Sequence, residues 1–113
     1  MATLQVYAVT AAGVDPTPSS AAAGGDDLSA ADVLTGRCWI EVVNGHSAAQ
    51  TVSVADPGKT ASGNPGTITP VSVPASGGKR RIYVPPSAVN PTTGKAALTY
   101  SGVTALTVLA LRV

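Results

Sequence analysis

The chain has 113 residues, 44% of them apolar and only 12% charged, with a formal net charge of +1. It is short for two ordinary domains and too apolar and weakly charged for full disorder. With no Phe, one Met and few Glu or Lys, it does not suit a coiled coil or helical bundle. What remains is a small β-protein: 15 Val and 13 Thr favour strands, and 12 Gly and 9 Pro punctuate them. The apolar side chains are mostly Ala and Val, so a thin core is expected, with support from a partner or a second copy.

The near-neutral total hides an asymmetry. Residues 1–56 carry all six acids against one base, Arg37, and residues 57–113 carry six bases and no acid. Two arrangements follow. Strands of the two halves interleave and their charges mix, or an acidic and a basic face form and favour contacts between copies.

Leu4–Val9 alternates and predicts the first strand. Residues 11–36 lose that alternation and turn rich in Ala, Gly, Ser and Pro. They are expected to form a long loop or arm, with one helical turn at Ser29–Leu34 capped by Ser29. Such an arm either lies on a neighbouring subunit or is a plain surface loop.

Arg37–Val43 is the strongest strand signal, with Cys38, Ile40 and Val42 on one side and Trp39, Glu41 and Val43 on the other. Asn44-Gly45 predicts a tight turn, and Thr51–Val54 the next strand. Lys59–Gly66 reads as a polar loop. Thr67–Pro74 predicts a strand that Pro70 confines to an edge or a bulge. After a turn at Ala75–Gly78, Arg80–Val84 is expected to return as its hairpin partner. Pro85–Pro91 predicts a break in pairing, and Ala97–Tyr100 and Leu106–Val113 are the last strands. The sum is a single all-β domain over residues 1–113. Its expected form is an antiparallel β-sandwich or jelly-roll-like barrel of about seven strands, with residues 11–36 as the arm.

The chemistry-bearing residues are few. His46, the sole His, follows a turn and reads as exposed. Cys38 reads as a buried thiol and cannot form an intrachain disulfide. A Cys–His nucleophile pair needs hydrogen-bond reach that their placement does not suggest, and no nucleophile elbow or phosphate loop is present. No enzyme activity and no cofactor are therefore expected. Cys38 and His46 fall short of a zinc set. Asp26, Asp27 and Asp32 lack the spacing of an EF-hand loop and read as a solvated acidic stretch. Lys79-Arg80-Arg81 is the one compact basic run. It is a solvated hairpin end or a contact for an acidic protein partner, and nucleic acid is less favoured because no stacking pattern accompanies it. Asp15, Asp26, Asp27, Asp32, Lys79, Arg80 and Arg81 are the candidate partner-binding residues. The N-terminal residues show no basic region or long apolar run, so no secretory leader is expected. Nothing approaches the roughly 20 apolar residues of a membrane helix.

In order, Thr35–Gly45, Thr51–Val54, Asp56-Pro57-Gly58, Val71–Gly77, Ile82–Pro86 and Leu98–Ser101 form a string of strands and turns. It resembles small all-β minor capsid or head-decoration proteins of tailed phages that infect actinobacteria. The resemblance spans about residues 33–113. It implies a non-enzymatic virion protein, made in the host cytoplasm, that sits on the capsid exterior. Such a protein binds and bridges major capsid proteins, often as a trimer. The alternatives are a head–tail or tail component, or a β-sandwich module that binds a carbohydrate or host surface through aromatic residues.

Overall fold

A computed structural model describes residues 2–58, 62 and 70–113. Thr67–Thr69 of the expected strand Thr67–Pro74 and most of the expected loop Lys59–Gly66 lie outside the described residues. The chain forms β1 (Ala2–Thr3), β2 (Val6–Ala8), β3 (Ser19–Ser20), β4 (Asp26–Ser29), α1 (Ala30–Val33), β5 (Cys38–Asn44) and β6 (Gln50–Val54). It continues with β7 (Val71–Val73), β8 (Gly78–Val84), one 3-10 turn (Pro86–Ala88), β9 (Val89–Asn90), β10 (Lys95–Tyr100) and β11 (Leu106–Arg112). Two sheets face each other as a β-sandwich, 41 × 37 × 19 Å in extent.

One sheet runs β1-β4-β10-β6-β7, and β9 lies end to end with β6 along β10. The other runs β2-β11-β5-β8, and β3 lies end to end with β2 along β11. Most pairs are antiparallel, but β1 with β4 and β2 with β11 are parallel. Of the predicted first strand Leu4–Val9, Val6–Ala8 forms β2 in one sheet, and β1 precedes it in the other. Leu4 is buried at the crossing, and its N–H donates to Asp27 O at 2.9 Å.

Alternation fills the core. In β5 the side chains of Cys38, Ile40, Val42 and Asn44 are buried, and in β11 those of Leu106, Val108 and Ala110. Leu28, Val52, Val73, Val84 and Leu98 come from the remaining strands. No aromatic side chain is among the buried residues, so the thinness of the core follows from its composition.

Three local expectations change. First, residues 26–29 are a strand paired with β10, and α1 follows with Ser29 Oγ accepting from Ala31 N at 3.3 Å. The helical turn is where it was expected, but this part of the arm belongs to the sheet. Two aspartates and a serine hide a strand from propensity, and burial against β10 overrides them. Second, β7 pairs with β6, and β8 pairs with β5 in the opposite sheet, so the two do not form a hairpin. The Pro74–Gly77 link passes between sheets, and Ser76 N and Gly77 N donate to His46 O and Asn44 O. Gly78 has no room for a Cβ, which would collide with Pro74 O. Third, Val89–Asn90 does pair, with Lys95 and Ala96, through a turn at Gly94 (φ +71°).

Asn44-Gly45 likewise marks a crossing between sheets, and Gly45 is outside the positive-φ set. The Asn44 side chain is the reason. Its Nδ2 donates to Ala48 O (3.0 Å) and Val73 O (3.1 Å), while its Oδ1 accepts from His46 N (3.0 Å) and Gln50 Nε2 (2.8 Å). All four hydrogen-bond positions of a buried amide are filled, as burial of such a group requires.

Candidate docking face

The outer face of the five-stranded sheet collects most of the aromatic residues. Register aligns Tyr83 of β8 with Trp39 of β5, Trp39 with Leu111 of β11, and Leu111 with Tyr7 of β2. Trp39 and Tyr83 stand next to buried positions in their strands, and the register puts Leu111 and Tyr7 on the same outer face. Three of the four aromatic residues in the chain therefore stand in one row. At about 4.8 Å per strand, the row spans about 14 Å. Tyr83 is 54% exposed, and its hydroxyl donates to Gly36 O at 2.9 Å, which orients the ring. Trp39 and Tyr7 are half-buried, and Leu111 between them is 9% exposed.

The next row aligns Arg81, Glu41 and Leu109. Arg81 Nε donates to Glu41 Oε2 at 3.0 Å. Lys79 stands beside Val43 one row further on. Arg80 belongs to the opposite set with Ile82 and Val84, yet it is exposed, and its Nη1 donates to Lys79 O at 2.8 Å. The basic run is therefore divided: Lys79 and Arg81 share the face of the aromatic row, and Arg80 does not. Among the described residues β8 pairs only with β5, so all three bases lie on an edge strand, where charge also discourages uncontrolled strand addition.

The acidic candidates do not gather on one surface. Asp15 is exposed in the segment before β3. Asp26 is 1% exposed, and its Oδ2 accepts from the Tyr100 hydroxyl at 2.6 Å and from Ala22 N at 3.3 Å. Burial and that hydrogen bond push the Tyr100 phenol far above its ordinary range. Asp27 is 7% exposed, with Oδ1 3.8 Å from Lys95 Nζ. Asp32 Oδ1 accepts from Arg112 Nε at 3.0 Å. The solvated acidic stretch expected from the sequence is thus corrected: Asp26 is buried against Tyr100 of β10 and removed from any outer contact, and Asp27 is largely buried on the outward face of β4. The ion pairs Glu41–Arg81, Asp27–Lys95 and Asp32–Arg112 each join an acid of the first half to a base of the second. That is the mixing of charge rather than its separation into faces.

Cys38 opens β5 and His46 follows its other end, so a strand about 20 Å long stands between them. Burial, helped by Asp32 and opposed by Arg112, pushes the Cys38 thiol up to about 11. Among the described residues no three His, Cys, Asp or Glu side chains group as metal ligands would, and no helix is long and apolar enough to cross a membrane.

Sequence reasoning missed the aromatic row. Alternation put Trp39 on the side opposite Cys38, Ile40 and Val42, but Tyr7, Tyr83 and Leu111 join it only through the register of four strands. No family model, curated protein or solved structure matches the chain.

Proposed function

We propose that this chain is a non-enzymatic phage virion protein that docks on the capsid exterior and stabilises it by bridging major capsid proteins. The docking face is the outer side of the five-stranded sheet. The observation that carries the reading is the Tyr83–Trp39–Leu111–Tyr7 row beside Arg81 and Lys79. Tyr, Trp and Arg are the residues that anchor protein interfaces, because large rings bury much area at little entropic cost. A sheet holds them in fixed register, so little ordering cost remains on binding. The capsid as target is what the resemblance of residues 33–113 implies. Mass spectrometry of purified particles from an infected actinobacterial culture tests it. The chain is expected in stoichiometric amounts with the major capsid protein, and its absence from particles would sink the reading.

A second reading draws on the same row. Aromatic rings also stack on the apolar faces of sugars, so the face suits a carbohydrate of the host surface. A glycan-array signal lost in Trp39→Ala, with folding intact, would favour this reading over the first.

A further inference from the structure

The opposite side of the molecule carries a cleft of about 260 Å³. It opens on the outer face of the six-stranded sheet, where β6 ends and β9 begins along β10. Its floor holds Asp27, Lys95 and Ala97, which register places on the outward face of β4 and β10. Ala55 and Asp56 line it as the chain leaves β6, and Ala88 lines it from the 3-10 turn.

Asp27 is 93% buried by its 7% exposure, yet its Oδ1 has no hydrogen-bond partner among the described residues. Lys95 Nζ stands 3.8 Å from it, beyond hydrogen-bond reach. That ammonium is held instead at 3.0 Å by Thr3 Oγ1. Buried carboxylate oxygens are ordinarily paired with a donor. Among the described residues, two carboxylates, Asp27 and Asp56, and one ammonium, Lys95, line the cleft, an excess of one negative charge. Asn90 and Thr93 add polar groups to the lining, and the alanines and Pro57 make its apolar part.

We propose that this cleft binds a guanidinium or alkylammonium group on a short aliphatic stem, with the Asp27 carboxylate accepting its N–H donors. A guanidinium brings several donors in a planar fork that suits a carboxylate, and the stem would lie along Ala55, Ala88 and Ala97. The group is carried by an arginine or lysine side chain of a neighbouring protein, or by a free polyamine. Arg80, exposed and unpaired with any acid among the described residues, makes a second copy of this chain one such neighbour.

Titration of the 15N-labelled protein with agmatine, at constant ionic strength, tests the site by amide shifts. Saturable shifts are expected at Asp27, Asn90 and Ala97, with at least tenfold weaker binding in Asp27→Asn and in Ala97→Leu. The second variant fills the cleft while keeping both carboxylates, so it decides the matter if the first does not fold. Absent or non-saturating shifts, or equal affinity in Ala97→Leu, overturn the proposal. Sedimentation distinguishes the sources. Self-association lost in both Arg80→Gln and Ala97→Leu identifies the neighbouring copy, and a monomer that still binds agmatine identifies a foreign cation.

Discussion

Gln50 Nε2 donates to Asn44 Oδ1 at 2.8 Å and to Thr104 O at 2.9 Å, and so joins the two sheets through one buried pair of amides. Asn44 ends a strand of the five-stranded sheet and Gln50 begins one of the six-stranded sheet. Asn44 also reaches Val73 of β7, so the chain's crossings after β5 and before β8 share one polar knot inside an apolar core.

Asn44→Ala is expected to destabilise the fold by about 3 kcal/mol, because it leaves the Gln50 amide and two backbone carbonyls short of partners. Asn44→Asp should be nearly as costly, since a carboxylate cannot donate to Ala48 O and Val73 O. Urea unfolding of both variants checks this. A loss under 1 kcal/mol in both would show that the knot does not hold the sheets.

Gly78→Ala is expected to cost about 3 kcal/mol by overpacking, because the added methyl group meets the Pro74 carbonyl where the chain passes between sheets. Gly13→Ala is the comparison: no atom lies within 4 Å of its Cβ position, so its cost is confined to the strain of its positive φ. Thermal unfolding of the pair separates collision from backbone strain.

The Tyr100 phenol is raised in the folded state, so the fold binds its proton more tightly than the unfolded chain does. Its stabilising contribution is complete below the ordinary tyrosine value of 10.0 and falls as pH rises beyond that. Wild type should therefore lose stability above pH 10 more steeply than Tyr100→Phe. At neutral pH the variant should be about 2 kcal/mol less stable, because Asp26 then loses its hydroxyl donor. Denaturant unfolding across alkaline pH measures both effects.

Cys38, buried and raised to about 11, should resist a disulfide reagent at pH 8 in the folded protein and react at once in denaturant. Rapid labelling of the folded form would contradict the burial of β5's first residue.

The expected clamp at residues 11–36 divides in two. Residues 26–29 hold sheet hydrogen bonds to β10 and should already resist hydrogen exchange in the free protein. Residues 10–18 are exposed apart from half-buried Pro16, and these are the ones expected to gain protection on a capsid. Uniform exchange over 11–36 before binding would contradict this division.

Much of the fold was legible because alternation reports which side of a strand is wet. Cys38, Ile40 and Val42 point inward as their spacing predicts, and Leu98 and Tyr100 share a side. Pairing was less legible, because partners are chosen by tertiary contacts. Arg80–Val84 follows Val71–Val73 by a short turn, yet each finds its partner in a different sheet. Asp26 and Asp27 read as loop residues since the hydroxyl that bonds Asp26 Oδ2 comes from Tyr100, 74 positions away. The proposed docking face was hidden for the same reason, since its row draws on residues 7, 39, 83 and 111.

Cryo-electron microscopy of the intact particle tests the central proposal most directly. The sandwich is expected on the capsid exterior, with Tyr83, Trp39 and Tyr7 against the major capsid protein and the Asp27 cleft turned away from that contact. Density for the chain only at the tail or the head–tail junction, or a capsid contact made without that row, would contradict it.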